Sequence, residues 1–153
     1  MSTVTVSEKL KSLALDLTRE YPRSPRAVLG GHVIAARVLD KCRAILNGTG
    51  EDYNFNCPLD RIFFDASGLD ANEFEALAAS GASDDEMGEW IKKHSKLNTP
   101  EALVQWNNEW RFKTIDKLPM RLQLFFEDTL AHEFEQKRII YFFDKLDCDE
   151  KRL

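Results

Sequence analysis

The segment LDLTREYPRSPR, Leu15–Arg26, constrains the fold more than any other stretch of the chain. Pro22 and Pro25 each fix φ and hold the residue before them in extended geometry, so the backbone is stiff there. Ser24 followed by Pro25 reads as a helix N-cap followed by a first helical residue. The pattern predicts a helix from Pro25 to Leu46. Its apolar face is Leu29, Val33, Ala36, Val38 or Leu39, Cys42 and Ile45 or Leu46, and Asn47-Gly48 ends it. Gly30-Gly31 costs about 1 kcal/mol per glycine inside a helix. The pair therefore marks a close backbone approach, or a break between a short first turn and the main helix.

The remaining punctuation is also helical. Ser7 is placed to cap a short helix carrying Leu10, Leu13 and Leu17. Residues 1–14 are read as a tail or short helix, and residues 15–153 as a single helical domain. Thr49–Asn56 is a loop in which Tyr53 and Phe55 alternate like a short strand. Pro58 opens a helix that Gly68 closes, and the pairs Asp70/Glu73 and Ser83/Glu86 have capping-box spacing. Thr99-Pro100 starts a helix bearing Leu103, Trp106 and Trp110. After Leu118-Pro119 a last helical region extends to Lys145, with Leu122, Phe126, Leu130 and Phe134 as its stripe. No alternation of strands and helices is present, so the expected fold is all-α: about six helices in an orthogonal array.

Charge narrows the classes of partner. A net charge of −5 argues against nucleic acid. The charge is uneven, with eight Lys/Arg against four Asp/Glu in the first fifty residues, which leaves −9 for the remainder. Either the basic part pairs with the acidic part inside one fold, or it keeps a basic face for an anion or an acidic partner. Cys42, Cys57 and Cys148 are widely spaced, with no CxxC, so neither a redox pair nor a zinc site is suggested. No apolar run approaches a membrane span and no secretory h-region opens the chain. The expectation is a cytoplasmic protein with no membrane partner, no metal and no cofactor.

The pieces LDLTREYPRSPR (15–26), Leu29–Gly31 with Arg37 and Asp40-Lys41, CPLDRIFF (57–64), GLDANEFEALAASGASDDEMGEWI (68–91) and FFDKLDCDE (142–150) resemble a family of small bacterial proteins of unknown function. The resemblance spreads over nearly the whole chain. It implies a single, mainly helical domain, and brings with it no activity, cofactor or catalytic residue.

The candidate site residues are Tyr21, Arg23, Ser24, Arg26, Arg37, Asp40 and Asp60. Arg23 and Arg26 would flank the unpaired N–H groups of the expected helix start, where a guanidinium fork grips carboxylate or phosphate. The competing reading has these arginines bind internal acids such as Asp16, Asp60 or Asp65. Arg37, Asp40 and Lys41 share a helix face, as a salt-bridged surface or as part of a site. Asp60, in Cys57-Pro58-Leu59-Asp60, is expected to bond Arg23 or Arg26. Asp128, His132 and Glu135 have metal-ligand spacing, but lie opposite an apolar stripe and read as a solvated face. His32 and His94 lack neighbouring partners in the sequence. Asp84, Asp85, Glu86 and Glu89 would repel phosphate in a helix-turn-helix reading of residues 70–93. The leading expectation is a binding or adaptor module for a small anion or an acidic partner. The alternative is a small enzyme using Tyr21, Arg23, Arg37, Asp40 and Asp60 in an anion pocket, and a homodimer through Trp106 and Trp110 is a third.

Overall fold

Capping residues set most of the helix ends. In the computed structural model, which describes residues 6–133 and 139–153, the Ser7 hydroxyl accepts from the Leu10 N–H and starts α1, Glu8–Leu13. Pro58 opens α3, Pro58–Ser67, and Gly68 closes it in the left-handed conformation at φ 71°. The Asp70 carboxylate accepts from the Asn72 and Glu73 N–H groups at the head of α4, Ala71–Ala79. Ser83 and Glu86 form a complete capping box on α5, Asp84–His94. Thr99 caps α6, Pro100–Arg111. A short 3-10 turn, Ile115–Lys117, precedes α7, Met120–Glu133, and the last helix is α8, Phe142–Asp149.

The structure is all-α, with more and shorter helices than the six expected. Tyr53–Phe55 forms no strand; it lies in a turn-rich link, and the Phe55 ring stacks on Phe74 instead. The expected last helix from Pro119 to Lys145 is two helices. The chain pairs Thr114 with Tyr141 in an isolated bridge before α8 begins, and the Asp144 carboxylate accepts from the Tyr141 N–H at that start. Leu130 and His132 have no described side chain, and Phe134 and Glu135 lie outside the described residues.

The largest correction concerns the start of α2. The helix begins at Ala35, not at Pro25, and runs to Leu46. Ser24–Ala27 is a turn closed by the Ala27 N–H on the Ser24 carbonyl at 3.0 Å. The Ser24 hydroxyl accepts from the Arg26 N–H inside that turn, so it caps no helix. Leu29 and His32 then exchange two backbone hydrogen bonds across Gly30-Gly31, whose φ values are 57° and 81°. A right-handed helix cannot pass through two such residues, and this two-residue turn needs positive φ at both.

The chain divides into two compact units, Met1–Leu103 and Val104–Leu153, with the division inside α6. In the first, α2 packs against α1 and α4. Ten of its twelve residues are buried, so it is covered nearly all round. An aromatic cluster of Phe55, Phe63, Phe64, Phe74 and Trp90 fills the space beside it. In the second unit, Phe126, Phe142, Phe143 and Leu146 form the core, with Trp110 edge-on to Phe142. Among the described residues no helix is long and apolar enough to cross a membrane.

Candidate ligand site

A helix buried on nearly every side should carry no charge, yet α2 holds Arg37, Asp40, Lys41 and Arg43. Burial at this level demands partners, and the segments around α2 supply them. The extended backbone before Pro25 brings Arg23 onto Asp40. The Arg23 N–H and Nε both donate to Oδ2 of Asp40, at 2.9 and 3.0 Å, while Nη2 donates to Oδ1 at 3.0 Å. The other side of the same guanidinium meets Asp84 at the start of α5, with Nη1 donating to Oδ2 at 2.9 Å. Arg43 completes the row, giving Nη1 to Oδ1 of Asp84 and Nη2 to the Ala82 carbonyl, each at 2.9 Å.

Asp40, Arg23, Asp84 and Arg43 thus alternate in sign along one chain of charge-assisted bonds. Burial pushes the Asp84 carboxyl up, but the hydrogen bonds and charge of Arg23 and Arg43 outweigh it and hold the group below the usual carboxylate range. Burial likewise pushes Arg23 down, and Asp40 with Asp84 more than restores it. Both groups are locked in their charged forms.

Asp60 corrects another expectation. It bonds neither arginine named for it in the sequence; the acid, buried in α3, pairs with Lys41 at 2.6 Å and accepts from the Asn56 N–H at 2.9 Å. The Lys41 ammonium also lies 3.6 Å from Sγ of Cys57. Arg37 is buried with its guanidinium over the Tyr53 ring, 5.8 Å from the centroid. Tyr21 is exposed, and Arg26 is half-buried in the Ser24–Ala27 turn. Arg23 and Asp40 therefore meet as one group, whereas Asp60 belongs to a separate pair with Lys41.

The expected helix-start cradle does not exist, because no helix begins at Ser24 and the Arg23 fork is filled by Asp40 and Asp84. Ion pairs from Arg23, Lys41 and Arg43 to Asp84 and Asp60 tie the basic first fifty residues to the acids beyond them. Asp128, the one member of the metal-spaced trio whose side chain is described, is exposed, and no group of three or more His, Cys, Asp or Glu suited to a metal occurs among the described residues. Cys42 is buried and desolvation drives its thiol far up, so it is inert.

Sequence reasoning missed the pairing of Arg43 with Asp84 and the hollow that Asp84 lines. Beside the Arg23–Asp84 pair is an open hollow of about 360 Å³. Arg23, Gly30, Asp84, Asp85, Glu89 and Lys92 line it, and no hydroxyl, thiol or imidazole does. Asp85, Glu89 and Lys92 stand at i, i+4 and i+7 on α5, on one helix face. Lys92 reaches Glu89 only at 4.0 Å with both side chains largely exposed, a pair worth little. Asp85 has no ion pair among the described residues.

His32 was also missed as a structural residue. Its ring is edge-on to Phe63 and fully buried, with Nδ1 2.7 Å from the Gly30 carbonyl and Nε2 2.8 Å from the Ser95 hydroxyl. The neutral ring with hydrogen on Nδ1 donates to Gly30 and accepts from Ser95. Burial lowers its pKa, partly offset by the Gly30 bond. The unfolded chain therefore binds the proton that the folded chain excludes. Stability present above the ordinary value of 6.5 is lost as pH falls below it. Urea midpoints at about pH 7.5 and about pH 5.5 check this: the drop shrinks in His32→Gln, and an unchanged drop would assign it elsewhere.

Residues 19–152 match the model of a family described as a domain of unknown function, DUF5069. No curated protein matches the chain.

Proposed function

We propose, for a chain that belongs to the DUF5069 family of domains of unknown function, that it is a binding module whose ligand is a small zwitterion, carrying an amine and a carboxylate a few bonds apart. The observation that carries this reading is the hollow itself, which presents Asp85 and Glu89 on the same helix face as Lys92. A volume of about 360 Å³ suits a small molecule. A simple anion suits the place less well than the sequence suggested, because Arg23 is committed to two carboxylates and acids outnumber bases on the walls. An amine on Asp85 and Glu89, with a carboxylate on Lys92, satisfies both signs.

A binding role is favoured over catalysis by the direction of the proton equilibria. An acid or base working near neutrality needs a pKa near neutrality. Arg23 and Asp84 are both moved away from it. Calorimetric titration with free amino acids, against phosphate and acetate as simple anions, tests the reading. Heat is expected for amino acids only, with affinity at least about tenfold weaker in Asp85→Asn, the size of one lost charged contact. Equal binding by parent and variant, or binding of acetate alone, overturns it.

A further inference from the structure

An amphipathic helix at a protein surface needs one apolar face, and α7 has two. Phe126 is buried against Phe142, with the Lys145 ammonium 5.7 Å from its centroid, and Leu122 is half-buried. That side is the core side. On the other side Met120, Leu124 and Phe125 are 62, 70 and 77% exposed. Exposed apolar side chains scattered singly are ordinary, but Leu124 and Phe125 side by side, with Met120 one turn before Leu124, are not scattered.

The charges around this patch say what covers it. Arg121 and Asp128 are exposed, and neither has an ion pair among the described residues. Residues 121, 124, 125 and 128 stand at i, i+3, i+4 and i+7, so they share one face. The order along that face is cation, apolar pair, anion. Such a face is complementary to itself when turned end for end. A twofold axis between Leu124 and Phe125 sets Leu124 against the partner's Phe125, and Arg121 against the partner's Asp128. A parallel pairing would set like charges together. Isologous contacts require this kind of self-complementarity.

We infer that the outer face of α7 is a contact surface for a second copy of this chain, packed antiparallel across Leu124 and Phe125, with reciprocal Arg121–Asp128 ion pairs at its ends. The surface differs from the one expected for a homodimer at Trp106 and Trp110: Trp106 is buried and Trp110 half-buried, so the indoles belong to the core. A contact of one helix face is small, so the dimer is concentration-dependent and dissociates on dilution.

Sedimentation equilibrium on the full 17.6 kDa chain tests the assignment. The expected result is a mass that doubles as concentration rises through the micromolar range. Phe125→Asp, a surface change that leaves the circular dichroism spectrum intact, gives a monomer throughout. Arg121→Asp or Asp128→Arg alone weakens dimerisation at least about tenfold, since each places like charges face to face. The double swap Arg121→Asp/Asp128→Arg restores it to within about threefold. The proposal is overturned by a parent that stays monomeric to several hundred micromolar, by a dimer that survives Phe125→Asp, or by a double swap that fails to rescue. Loss of binding to lipid vesicles in Phe125→Asp, with a monomeric parent, would assign the face to a membrane and overturn it equally.

Discussion

Asp60→Ala is expected to lower the free energy of unfolding by about 3–5 kcal/mol, the typical effect of stranding one partner of a buried ion pair. The Lys41 and Asp60 side chains are 4 and 2% exposed, so the ammonium left behind has no water to turn to. The Asn56 N–H, which donates to the same carboxylate, loses its acceptor too. Against a typical total of 5–15 kcal/mol for a small protein, the loss would leave the chain close to unfolding at physiological temperature. Equilibrium urea denaturation measures it. The pair need not stabilise the fold relative to an apolar substitute, because desolvating two charges offsets most of their attraction. Lys41→Met/Asp60→Leu is therefore expected to recover most of the loss. A drop below about 1 kcal/mol in Asp60→Ala would mean that the site is wetted and the ammonium rehydrates in place. The double variant separates packing from charge: if it falls as far as the single, volume and not charge governs the site.

Helix ends were legible because capping is local. Ser7, Asp70 and Ser83 each accept from N–H groups two or three residues away, and Pro58 pre-sets φ for a first helical residue, so a short window of sequence holds the whole interaction. Pro25 misled for the same reason. Its local preference for a helix start is real, but the Ile34 N–H reaches back to its carbonyl and the Gly30-Gly31 turn intervenes, and no short window contains that contact. The site was legible in its residues and not in its pairings. Arg23 and Asp40 were singled out as charges on stiff or helical backbone, but the choice of Asp40 and Asp84 for Arg23 depends on how α2 and α5 come together. Asp84 looked like a reason to exclude nucleic acid and is a ligand of two arginines. His32 looked solitary because Ser95 lies far along the chain. Local rules place the ends of helices, whereas burial of α2 decides which charges must meet.

Gly30→Ala is expected to cost about 2–4 kcal/mol, the sum of a left-handed residue and an overpacked contact. Its φ of 57° already penalises any side chain with a Cβ. A methyl there would also stand 2.8 Å from Cβ of Ile91 and 2.9 Å from the Gly88 carbonyl, and the second of these is helix backbone that cannot swing aside. The turn would have to move off α5, taking with it the carbonyl that holds His32 and one wall of the hollow. Two controls separate the contributions. Gly48, at φ 79° with nothing within 4 Å of a new Cβ, isolates the backbone contribution, so Gly48→Ala loses only about 1–2 kcal/mol. Gly88 faces the same turn from inside α5, where a Cβ would meet the Gly30 nitrogen at 3.4 Å, close to ordinary contact. Removing a glycine from a helix interior gains up to about 1 kcal/mol, so Gly88→Ala is expected to be neutral or mildly stabilising. Thermal melts of the three variants decide the matter. If Gly30→Ala loses no more than Gly48→Ala, the turn is not pressed against α5, and the close approach that shapes the hollow is absent in solution.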